Sequence, residues 1–185
     1  MYIERSIDKA LLEWKDKANR KPLLLRGARQ IGKSTAVHHL GKQFTYYIEA
    51  NFEKNAKLKT LFTTNLSVHD IAAGIGNLYN QPIVAGETLL FLDEIQGCPE
   101  AIHSLWFFKE DFPELHVIAA GSLLDLALKE DMPTYGVGRI QSLYMYPLSF
   151  DEFLAATGHS MWIDAKRTSS PQSPILDVLH EQLSN

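Results

Sequence analysis

Gly27-Ala28-Arg29-Gln30-Ile31-Gly32-Lys33-Ser34 matches G-x-x-x-x-G-K-[ST] at every fixed position. The chemistry this spacing serves is phosphate binding. Glycines let the backbone curl until successive N–H groups converge on phosphate oxygens, and a helix opening at the lysine adds its N-terminal dipole. Lys33 can then reach β- and γ-phosphates, and the Ser34 hydroxyl can ligate Mg²⁺. Thr35 either touches an α-phosphate or is simply a first-turn residue, and Arg29 either contacts phosphate or faces solvent.

The second chemical signal is the pair Asp93-Glu94, which ends the apolar run Leu89-Leu90-Phe91-Leu92. Asp93 is suited to holding Mg²⁺, directly or through water, and Glu94 to polarising a water in line with a γ-phosphate as general base. Without the phosphate loop upstream, two acids ending a strand would read as a helix N-cap. The guanine-reading Asn/Thr-Lys-x-Asp is absent, and a small-molecule kinase would place an acceptor where Glu94 stands, so the pair favours water as the nucleophile. Ser122, after Gly121, ends another apolar run; its hydroxyl either orients the attacking water or contacts the γ-phosphate, or it belongs to an ordinary turn.

These residues need a scaffold that brings several strand ends to one edge. Strands are expected at Leu23 to Arg26, Tyr46 to Ala50, Thr88 to Leu92, Leu115 to Ala120 and Ile140 to Tyr146. Their apolarity is mostly continuous rather than alternating, which suits parallel strands covered on both faces. Helices are expected at residues 3–17, from Lys33 to a stop at Gly41, through most of 53–80, and from Pro99 to Phe108. The alternation predicts an α/β fold of three layers around a five-stranded parallel sheet. One extra strand intervenes between the two motifs, as in the P-loop class that carries a catalytic glutamate.

Ser149 and Glu152 form a capping-box pattern for a short helix from Phe150 to Ala156. Lys166 to Pro174 reads as a linker or loop, and Ile175 to Leu183 begins another amphipathic helix.

Composition bounds the rest. The 185 residues carry 18 Lys and Arg against 22 Asp and Glu, a formal net charge of −4, which argues against wrapping nucleic acid through bulk charge. A single cysteine excludes an internal disulfide and any multi-cysteine metal site. No apolar run is long enough to span a membrane, and the N-terminus carries no signal-peptide core, so a soluble, cytoplasmic protein is expected. His38, His39, His69, His103 and His116 share no metal-ligand spacing, Cys98 has no histidine arranged near it in sequence, and Lys54, Lys57 and Lys59 read as a solvated helix face.

At this point the sequence resembles the bacterial and archaeal AAA+-like ATPases that carry a C-terminal domain of unknown function. The matching stretches are residues 25–34, Asn51-Phe52-Glu53, residues 90–96, residues 119–124, Val137-Gly138-Arg139-Ile140 and residues 146–154. The resemblance covers residues 1 to about 155. It implies ATP and Mg²⁺ as ligands, with adenine preferred. It makes Ser122 the sensor-1 position, and puts Arg139 where related proteins place an arginine that reaches a neighbouring subunit's γ-phosphate. Local pairing of Arg139 within its own chain is the other reading, so a homo-oligomer through Arg139 stays open. Relatives often carry an arginine at the position of Trp106.

Residues 1–149, with an N-terminal helix in 1–20, are thus expected to form the ATPase core, and 150–185 part of a helical lid or linker. The family's C-terminal domain would then be missing and the chain cut short. Two function classes remain: a Mg²⁺-dependent ATPase, with Lys33, Ser34, Asp93, Glu94, Ser122 and Arg139 as working residues, or a nucleotide-gated interaction module that binds ATP or ADP with little turnover. No motif selects a protein or DNA partner.

Overall fold

The computed structural model describes residues 2–64, 67–122 and 138–168. In chain order these form α1 (Ser6–Asp16), β1 (Leu23–Arg26), α2 (Lys33–Gly41), β2 (Tyr46–Asn51), α3 (Ala56–Thr63), α4 (Val68–Tyr79), β3 (Thr88–Asp93), a 3₁₀ turn (Ile95–Gly97), α5 (Pro99–Asp111), β4 (His116–Ala120), β5 (Gln141–Tyr144), α6 (Phe150–Ala156) and α7 (Ser160–Thr168). The strands pair in parallel throughout, in the order β2-β3-β4-β1-β5. The expected five-stranded α/β architecture is present.

Alternate side chains of each strand enter opposite layers, because successive Cβ atoms point to opposite faces. Leu24, Ile48, Leu90, Leu92, Val117 and Ala119 pack with α3, α4 and α5 around Leu58, Ile75, Leu105 and Phe108. Leu23, Leu25, Leu89, Phe91, Ile118 and Ala120 pack with α1 and α2 around Leu11, Trp14, Val37 and Leu40. The continuous apolarity of β3 and β4 follows from this double coverage, and every residue of both strands is buried.

Several boundaries differ from the sequence expectation. The 53–80 stretch is two helices, each opened by its own side-chain cap: Asn55 accepts from Lys57 N–H, and Ser67 from Asp70 N–H. Gly41 ends α2 as expected, but its φ is not left-handed. Glycine is required there because a Cβ would stand 2.6 Å from the Tyr47 ring. β5 ends at Tyr144, before the expected Tyr146, although Met145 N–H still donates to Arg26 C=O at 2.9 Å. Lys166–Thr168, expected as the start of a linker, close α7 instead. The expected helix from Ile175 to Leu183 lies outside the described residues, as do Leu123, Leu124 and Val137.

The chain divides into two compact units, one of residues Ile7–Pro147 and one joining Met1–Ser6 to the segment from Leu148 onward. In the second unit the capping box of α6 is formed as the sequence expects: Ser149 Oγ accepts from Glu152 N–H, and the Glu152 carboxylate accepts from Ser149 N–H at 2.8 Å. The same carboxylate accepts from Ser6 N–H at 2.7 Å and pairs with Arg5 at 3.2 Å. Burial alone would raise the Glu152 carboxyl, but these donors hold it down at about 2.

Candidate functional site

The loop between β1 and α2 is shaped by three left-handed residues: Gly27 with φ 139°, Gln30 with φ 63° and Gly32 with φ 97°. Gly27 has no alternative, because a Cβ there would lie 2.3 Å from the backbone carbonyl oxygen of Met145. Gly32 caps α2 and its C=O accepts from Ala36 N–H, so the helix starts at Lys33 and its N-terminus faces the loop. Ala28, Arg29 and Gln30 form the exposed crest. Thr35 is an exposed residue of the first turn of α2.

Lys33 is 8% exposed, and its ammonium spans the loop, donating to Gly27 C=O at 2.9 Å and Ala28 C=O at 2.7 Å. Burial lowers its pKa, and the negative charges of Glu94 and Asp93 oppose that effect. A partly desolvated cation facing two carboxylates across a glycine loop is the charge pattern a phosphate group completes.

Asp93 ends β3 and is 7% exposed. The Ser34 hydroxyl lies 3.4 Å from both of its carboxylate oxygens. Asn51 closes β2 as the register partner of Asp93 and donates its Nδ2 to Asp93 at 2.9 Å. The other end of the Asn51 amide accepts from Glu53 N–H at 3.0 Å and Lys54 N–H at 2.9 Å, so the side chain is fixed at both ends. Burial raises the Asp93 carboxyl, the Asn51 bond opposes this, and the charges of Glu94 and Glu49 raise it further. The donor set offered by Ser34 and Asp93 is oxygen only, with an excess of negative charge around it, which fits a hard divalent cation such as Mg²⁺. Among the described residues no cluster of three or more His, Cys, Asp and Glu could hold a metal by itself.

Glu94 adopts φ 50°, ψ 45°, a left-handed conformation that costs a non-glycine residue about 1–3 kcal/mol. Its carboxylate Oε2 accepts from Gln96 Nε2 at 2.6 Å and lies 3.5 Å from the Ser122 hydroxyl. The fold therefore gathers Lys33, Ser34, Asp93, Glu94 and Ser122 at the carboxyl edge of the sheet, where ligands of open α/β sheets bind.

Arg139 is not among them. It precedes β5, whose first residue Gln141 is in register with Leu23 at the start of β1, so it stands at the opposite edge of the sheet from the phosphate loop. There its Nε pairs with Glu110 at 2.9 Å and its guanidinium lies 3.9 Å from the centre of the Trp106 ring, both on α5. Arg139, which matches the family pattern, and Trp106, where this sequence departs from it, are thus in contact.

Asn51, Gln96 and Glu49 belong to the site although no role is legible for them in the sequence. Asn51 is the most detectable: it follows a strand candidate, and a polar residue at the carboxyl end of a buried parallel strand points toward the ligand edge. Of the weaker candidates, His116 is buried edge-on against Trp14 and Phe44, and burial lowers it to about 4. Cys98 is buried too, its thiol pushed up by desolvation. His116 opens β4, and so stands at the edge of the sheet opposite Lys33.

A glycine loop closed by a buried lysine, beside a carboxylate pair at the carboxyl edge of a five-stranded parallel sheet, defines a P-loop type of nucleotide-binding domain. Residues 19–154 match the AAA domain family, and the chain belongs to it. A search of curated proteins finds no match.

Proposed function

We propose that this chain binds ATP with Mg²⁺ and hydrolyses it to ADP and phosphate, using the cycle as a conformational switch. The observation that carries this reading is the convergence of Lys33, Ser34, Asp93 and Glu94 on one sheet edge. The loop N–H groups and Lys33 bind the β- and γ-phosphates. Ser34 and Asp93 would hold Mg²⁺, which when bound neutralises charge on the phosphate oxygens. Glu94 takes a proton from water as the water oxygen bonds to the γ-phosphorus, and the bond from that phosphorus to the bridging oxygen breaks, its electron pair leaving with ADP. Ser122, within 3.5 Å of Glu94, helps to orient the water.

Purified protein should release phosphate from ATP, and Glu94→Gln should abolish that release while ATP binding persists. Equal activity in the two proteins would overturn the reading.

A second reading is favoured by the placement of Arg139, engaged on α5 at the far edge of the sheet. A single chain then presents no Arg139 to its own γ-phosphate and would act as a nucleotide-gated module holding ATP or ADP with little turnover. Calorimetric binding without turnover at any protein concentration selects it.

A further inference from the structure

Gln96 lies in the 3₁₀ turn that follows Glu94, and the turn is fixed. Gly97 N–H donates to Glu94 C=O at 3.0 Å, Cys98 N–H donates to Ile95 C=O at 2.9 Å, and Ile95 is buried in the core. From this base the Gln96 side chain bends back to place Nε2 2.6 Å from Glu94 Oε2. A carboxylate only accepts, so the contact dictates which end of the amide faces it. The other end, Oε1, is thereby turned into a buried position where it has no hydrogen-bond partner among the described residues. An apolar side chain of the same length would fill this space without stranding an acceptor. The amide thus sacrifices hydrogen bonding to deliver one donor to one carboxylate oxygen, a local cost of the kind that collects at functional sites.

We propose that Gln96 is a positioning residue for hydrolysis. It holds the Glu94 carboxylate in the orientation that accepts a proton from water, and acts through Glu94 rather than on the nucleotide. The inference rests on the ATPase reading above and adds a residue to it.

The test compares wild type, Gln96→Met and Glu94→Gln, and repeats Gln96→Met in a Glu94→Asp background. Methionine matches the length and removes the donor. Gln96→Met should melt at or above the wild-type temperature and bind ATP within about threefold, while kcat falls about tenfold or more. In Glu94→Asp, whose carboxylate is withdrawn by one methylene, the same change should cost less than about threefold, because residues acting as a unit are not additive. Unchanged kcat in Gln96→Met, with Glu94→Gln inactive, overturns the role of Gln96 and leaves the ATPase reading standing. So does an undiminished loss in the Glu94→Asp background. Absence of wild-type turnover removes the ATPase reading, and the role of Gln96 with it.

Discussion

Asp93 is held in place by a residue from the neighbouring strand rather than by its own sequence neighbours. Asn51 orients it with one amide end and ties down the turn after β2 with the other. Truncating Asn51 would leave a buried carboxylate short of a donor and free two backbone N–H groups, and each unsatisfied buried group costs about 1–3 kcal/mol. Asn51→Ala should therefore lower unfolding stability by about 2 kcal/mol in urea titration, and should weaken Mg²⁺-dependent nucleotide binding more than metal-free binding. The phosphate loop itself was legible residue by residue, since its glycines are demanded by backbone geometry that only a local pattern can meet. Asn51 and Gln96 were not, because their partners come from a register and a side-chain rotamer that no spacing encodes.

Elements show the same division. The capping box of α6 could be read from Ser149 and Glu152 because both partners lie within one turn. Its further donors, Ser6 and Arg5, are far away in sequence, so their gathering on Glu152 depends on tertiary folding. The linkage has a definite sign. With its folded pKa depressed to about 2 from 4.5, Glu152 binds its proton less readily in the folded state. It contributes stability that is fully present above about pH 4.5 and is lost as pH falls toward 2. Glu152→Gln should accordingly lower the melting temperature at pH 7, with the gap from wild type narrowing between pH 4.5 and 2. A gap independent of pH would show that the carboxylate charge is not what matters. β5 is shorter than its apolar pattern implies for a related reason: Met145 keeps a strand-like bond to Arg26, but the chain must then pass over Gly27, where the Met145 carbonyl closes the loop.

At the scale of the molecule, the strand order is what the sequence leaves open. Alternating strands and helices imply a parallel sheet, yet only the structure seats β1 between β4 and β5 and brings the ends of β1, β2 and β3 to a common edge. That topology also sends α5 from the acidic pair back to the opposite edge, where it meets Arg139. If Arg139 serves catalysis, it does so in another copy of the chain. Specific ATPase activity should then rise with protein concentration, and the rise should vanish in Arg139→Ala while the dilute activity stays as it was. A flat profile in wild type assigns Arg139 to the pairing seen here.

The contact between Arg139 and Trp106 has an optical consequence. An indole with a guanidinium 3.9 Å from its ring centre sits in a strong local field, and its emission depends on that cation staying put. Trp14 is sealed in the core, its ring edge-on to His116, and the Trp162 ring lies against His159. The chain thus carries a built-in fluorophore at the edge of the sheet farthest from the phosphate loop. Its signal would register the departure of Arg139 without any label.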